Sequence, residues 1–300
     1  MAGKSWRALI VYKTSGRSET EMPNLTDEQI QKAKTFIFKN GRLLERKLFE
    51  YFFENGSKQA CLNALLAYQN PDGGFGNGIE PDLLCPDSTA IAAEFALHVL
   101  ELLECDDTEV VASLINWIVS NQNEAGVIVH PPGNILNYPH QPWWENPDDE
   151  RILILAGIMK KWGVDRPVFF EKVRTFYRRT TLPAADRYYG YPHFVYLKYC
   201  SETEADRLQF SRMVDQLPDL LTAHRNHYPL LSRGWMYAQE DVSEATRARE
   251  AVIFLSSLQE DGGIMIPYPD LPWWRPIWTL NGCVLLNKWR ILNERGFFKK

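Results

Sequence analysis

The sequence has no Cys-x-x-Cys pair, no basic patch, and no run near the ~20 apolar residues that a membrane-spanning helix needs. Its five cysteines (Cys61, Cys85, Cys105, Cys200, Cys283) are odd in number and scattered, which speaks against a disulfide frame and for reduced thiols in a cytoplasmic protein. A net charge of −5 without a basic face argues against a nucleic-acid partner. The N-terminal "MAGKSWRALIVYK" has about half the apolar length of a signal peptide, so secretion is not expected. Strand-and-hairpin patterns are missing as well, which leaves an all-α reading.

What the chain has in quantity is aromatic residues, 13% of its 300, with 10 Trp and 13 Tyr. Many of the tryptophans fall in loops, where they would meet something flat or apolar. Residues 1–24 read as a flexible leader and 25–300 as one domain. Thr26 and Gln29 form a capping box that opens a first helix, and Asn55-Gly56 stops the next. The segment from Glu244 reads as an outer amphipathic helix with Ala245, Ala248, Val252 and Leu255 on its buried stripe.

Three helices end alike: "LLAYQNPDGGFG" at Gln69, "WIVSNQNEAGVI" at Gln122 and "FLSSLQEDGGIM" at Gln259. Gly73, Gly126 and Gly262 supply the left-handed positions of these turns. Two of the turns run on into loops with Pro-Trp-Trp, "NYPHQPWWENPDD" and "PYPDLPWWRPIWT". After the first turn, "DSTAIAAEFALHVLELL" is apolar nearly all round, with one narrow polar stripe of Glu94, His98 and Glu101. A repeat that alternates such an inner helix with a charged outer one predicts an α/α toroid, a ring of helical hairpins.

The Gln–Asp-Gly-Gly-Phe-Gly turn, the acidic loop and the Asp-Ser-Thr-Ala helix start resemble the repeat of the terpenoid cyclase/protein prenyltransferase superfamily. The match covers 58–104 well, and 109–163 and 245–292 more weakly; residues 164–243 contribute only helical character. The resemblance implies an α/α toroid whose inner helices surround an aromatic-rich cavity for isoprenoid chains. It places Asp87 where squalene-type cyclases carry the acid that protonates an alkene, although Cys85 and Ser88 replace two of that motif's aspartates. The other reading of Asp87 is a helix N-cap.

Glu80, Asp82 and Asp87 share one loop and could gather Mg²⁺, an ion that enters only if a diphosphate does; the loop has no Lys or Arg for a phosphate. No resident cofactor is expected. Zinc, which the resemblance to prenyltransferases raises, is not expected: Asn281-Gly282-Cys283 has Asn where a ligand Asp should be. His224 and His227 read as a surface loop, and Asn146-Pro147-Asp148-Asp149-Glu150 as an ordinary helix start.

If the chain closes into a ring, the Pro-Trp-Trp loops share one rim. Tyr138, His140, Trp143, Trp144, Tyr268, Asp270, Trp273, Trp274 and Trp278, with Glu94 and His98 on the inner helix, are then the candidate substrate contacts. Three functions stay open: a cyclase-like enzyme on an isoprenoid or other small apolar molecule, a carbohydrate-active toroid pairing Asp87 with Glu145 or Asp270, and a non-catalytic scaffold or apolar-ligand binder. A membrane span is not expected; peripheral contact with a membrane surface stays open.

Overall fold

The computed structural model describes residues 23–105, 108–184 and 187–294; the expected leader lies outside the described residues as far as residue 22. The described chain is mostly helical and has no strand, only four isolated bridges. Its twelve α-helices are α1 (Asp27–Asn40), α2 (Leu43–Phe53), α3 (Lys58–Leu66), α4 (Ala90–Leu102), α5 (Glu109–Ser120), α6 (Arg151–Lys161), α7 (Pro167–Tyr177), α8 (Tyr191–Cys200), α9 (Glu204–Asp215), α10 (Leu217–Ala223), α11 (Glu244–Ser256) and α12 (Trp274–Glu294).

The expected starts and stops hold at α1 and α2. Thr26 Oγ1 accepts from the Gln29 amide at 3.2 Å while Gln29 Oε1 accepts from the Thr26 amide at 2.9 Å. Asn55, at φ 56°, takes the left-handed position after α2. Helix α4 buries every residue except Glu101, as its all-round apolar pattern requires.

Three expectations are corrected. Asp87 does not cap α4. The cap is Thr89, whose Oγ1 accepts from the Ala92 amide at 3.2 Å, because the Thr89 amide is already committed to the Phe75 carbonyl at 3.0 Å and keeps that residue extended. Helix α6 starts at Arg151, not at Pro147, so Asp148 and Glu150 stand in a turn ahead of it. Helix α11 buries Arg247, Glu250, Ala251 and Phe254, and exposes Ala245 and Val252 from its expected stripe. Arg247 is tolerated inside because its Nη1 donates to the carbonyls of Gln239 and Val242, both at 2.7 Å.

The three turns are one motif. Antiparallel bridges join Gln69 to Phe75, Gln122 to Ile128 and Leu258 to Ile264, and the turn glycines Gly73, Gly126 and Gly262 all sit at φ 89°. The third repeat is therefore offset by one from its apparent alignment: Gln259 matches Asn70 and Asn123, each donating its amide to the residue after the left-handed glycine. Each glycine also backs onto another helix. A Cβ on Gly73 would meet Ser113 of α5, one on Gly126 the Lys172 carbonyl of α7, and one on Gly262 the Lys32 carbonyl of α1. The last turn thus rests on the first helix, and α12 packs against both α1 and α2.

Candidate functional site

Helices α2, α4, α6, α8 and α12, with Phe254 of α11, wall a cavity of about 590 Å³, completed by the loops 80–82, 143–150, 187–189, 227–234 and 264–271. The loop carrying Glu80 and Asp82 is held at its base by Arg42, whose Nη1 donates to the carbonyls of Gly78 (2.8 Å) and Ile79 (2.9 Å). Its outer edge is tied to the first Pro-Trp-Trp loop. The Leu84 amide donates to the Pro139 carbonyl at 2.9 Å, and the Gln141 amide to the Asp82 carbonyl at 3.0 Å.

The two Pro-Trp-Trp loops meet at Asp82. Trp144 Nε1–H donates to Asp82 Oδ1 at 2.9 Å, and the Trp274 indole, the matching residue of the second loop, acts on the same carboxyl. Asp82 is 5% exposed, and burial raises its pKa against these two donors.

Beside it runs a chain of buried charges. Arg233 Nη1 donates to Glu80 Oε2 at 3.0 Å, and Arg233 Nε lies 3.5 Å from Glu94 Oε1, an ion contact that makes no hydrogen bond. The other Glu94 oxygen accepts from Arg151 Nη1, which also reaches the Tyr191 hydroxyl; Arg151 Nε donates to Asp148 Oδ2 at 2.9 Å. Three carboxylates thus alternate with two guanidiniums along the wall. Removing one partner from such a buried set costs about 3–5 kcal/mol, since it leaves a charge uncompensated. Burial pushes Glu80 up to about 7 although Arg233 opposes the shift, so this carboxyl exchanges its proton near neutral pH.

His98 Nε2 donates to Asn281 Oδ1 at 2.8 Å, the direction being set because the Asn281 amide nitrogen donates to the Leu231 carbonyl at 2.7 Å. Its Nδ1 is buried without a hydrogen-bond partner, and burial lowers the ring's pKa to about 3. Elsewhere in the lining His227 Nε2 and the Tyr189 hydroxyl both meet the Tyr268 hydroxyl at 3.2 Å.

Of the residues singled out in the sequence, Glu80, Asp82, His98, Trp143, Trp144, Tyr268, Trp274 and Trp278 line the cavity. Glu94 stands directly behind Arg151 and Arg233. Five do not reach it. Asp87 accepts from Asn134 Nδ2 at 3.0 Å, away from the cavity. Tyr138 and His140 bond each other and Glu145 at the surface, and Trp273 and Asp270 point to solvent. Glu80, Asp82 and Asp87 do not converge on a metal position, and no such cluster of three occurs among the described residues.

The sequence reading missed Arg151, Arg233, Asp148, Glu150 and His227. His227, expected on a surface loop, stacks against Tyr188 with ring centroids 4.6 Å apart and lines the cavity. The segment "YYGYPHF", with Trp235, reads as an addition to the aromatic rim; Tyr188, Tyr189 and Tyr191 line the cavity and Trp235 does not. Arg233 had no signal, since it meets Glu80 from 153 positions away.

No known protein family, curated protein or solved structure matches the chain.

Proposed function

We propose that the protein is an α/α toroid that encloses a small molecule of largely apolar, isoprenoid-like surface, with Glu80 as the group that gives or takes a proton. The single observation that carries this reading is the cavity itself, about 590 Å³ and walled by five helices, with rings such as Phe95, Trp144, Tyr188 and Trp278 on its surface. That volume suits a compact organic ligand. The contacts of Gly262 with α1 and of α12 with α1 and α2 support closure of the ring. The terpenoid-cyclase-like turn supports the ligand class.

Glu80 takes the acid role that the resemblance gave to Asp87. It lines the cavity and titrates near neutral pH, whereas Asp87 is occupied by Asn134. Val129, Leu136, Trp143, Tyr189, Met265 and Trp273 are exposed, and Trp143 and Tyr189 also line the cavity, which supports contact with a membrane surface when an apolar ligand is loaded.

A second reading, carbohydrate binding, is favoured by one feature: carboxyls on two separate loops, Glu80 and Asp82 on one, Asp148 and Glu150 on the other, face the same cavity.

Thermal unfolding in the presence of prenyl alcohols and, separately, of oligosaccharides decides between them. Prenyl alcohols should raise the Tm of the wild type. They should not do so for Leu48→Trp, which fills the cavity from α2. A Tm rise with oligosaccharides alone overturns the isoprenoid reading in favour of the second.

A further inference from the structure

The cavity lining is unevenly charged. Carboxyls on it (Glu45, Glu80, Asp82, Asp148, Glu150) outnumber guanidiniums (Arg151, Arg187, Arg233), no lysine joins them, and the histidines His98 and His227 are held neutral by burial, with pKa values lowered to about 3 and about 4. Two of the three guanidiniums are also spent. Arg151 is shared by Glu94, Asp148 and Tyr191, and Arg233 by Glu80 and Glu94. An anionic group beside Asp82 would meet these two occupied arginines, while Arg187, the third, is solvent-exposed.

Asp82 is the exception among the buried carboxyls of the lining, Glu150 being part-exposed. Glu45 and Glu80 each have an arginine in ion-pair contact, and so does Asp148. Asp82 is about as buried as Glu45 and Glu80, lines the cavity, and among the described residues makes no ion pair; its carboxylate accepts from Trp144, and the Trp274 indole and the Arg233 charge also favour its ionised form. A buried carboxylate without a cation is costly, and the missing charge can come from a ligand. The surrounding rings suit the same charge, because a cation over an indole or phenol face is attracted by its quadrupole. They already do this within the protein: the Arg233 guanidinium lies 4.6 Å from the Phe95 centroid and 5.8 Å from that of Trp274.

We infer that the cavity selects a ligand bearing an ammonium-type cation, seated on Asp82 between Trp144 and Trp274, over one bearing a phosphate or carboxylate. The inference rests on the proposed enclosure of an apolar ligand and adds the charge of its head group. The apolar body lies along α4 and α12, and the cationic nitrogen completes the one buried carboxyl of the lining that makes no ion pair among the described residues.

Calorimetric titration with three compounds of one chain and different heads, geranylamine, geraniol and geranyl diphosphate, tests this at pH 7. Geranylamine should bind at least tenfold more tightly than geraniol, with the diphosphate weakest. Asp82→Asn keeps an oxygen for the Trp144 N–H and should bring the amine-to-alcohol ratio close to one while leaving geraniol binding in place. Trp274→Leu, which does not touch the Asp82–Trp144 bond, should lower the same ratio and serves if Asp82→Asn fails to fold. Geraniol binding as tightly as the amine, or an unchanged ratio in both variants, overturns the charge inference and leaves the enclosed-ligand reading standing. If none of the three binds, that reading fails and the inference with it.

Discussion

Two buried residues of the cavity respond to pH in opposite directions. His98 has a folded pKa of about 3, below its ordinary 6.5, so between those values the unfolded chain binds more protons and stability rises with pH. Glu80 is raised from 4.5 to about 7, so between those values the folded state binds more protons and stability falls as pH rises. Urea unfolding from pH 4 to 8 should show this as variant differences. His98→Gln should flatten the rise between pH 4 and 6.5, and Glu80→Gln should remove the fall between pH 5 and 7. Variants that shift the whole curve without changing its slope would contradict these assignments. Neither role was visible residue by residue. Glu80 stood out as one of three carboxylates in a loop and His98 on the polar stripe of an apolar helix, but their partners Arg233 and Asn281 lie 153 and 183 residues away.

At the scale of the element, the repeated turn is the most readable part of the chain, because its glycines answer to a local backbone demand. The same φ of 89° at Gly73, Gly126 and Gly262 follows from hydrogen bonds made within seven residues. The one-residue offset in the third copy was hidden because glutamine stands at both of the compared positions, Gln69 and Gln259, while the bridges pair Gln69 with Phe75 but Leu258 with Ile264. The start of α6 misled for a different reason. Pro147 followed by acids is good local grammar for a helix start, but Asp148 is drawn to Arg151 and Glu94 takes the other side of that guanidinium.

The turn's long-range job yields a test. Gly262→Ala would place a Cβ 2.2 Å from the Lys32 carbonyl, whereas Gly163→Ala, at φ 72°, meets nothing within 4 Å. Both substitutions carry the left-handed penalty of about 1–2 kcal/mol, and Gly262→Ala should cost at least about 1 kcal/mol more because backbone must move. Equal losses in denaturant midpoints would mean that the third turn does not bear on α1.

For the whole molecule, the all-helical class was legible from the absence of strand patterns and the alternation of apolar and charged helices. The cavity was legible only as a consequence of a ring. Its aromatic loops announced themselves by the doubled Pro-Trp-Trp, and the structure brings Trp144 and Trp274 from those loops to one carboxyl, Asp82. Its charges did not, since ion pairs such as Arg151–Glu94 join residues on separate helices with no shared pattern between them.

The central claim is that α2, α4, α6, α8 and α12 surround a space that holds a ligand. A crystal structure of the protein grown with geraniol tests it most directly. The account predicts ligand density between α4 and α12, next to Asp82 and Trp274, with Gly262 seated on α1. A centre filled by side chains, or ligand bound only on the outer helices, would contradict it.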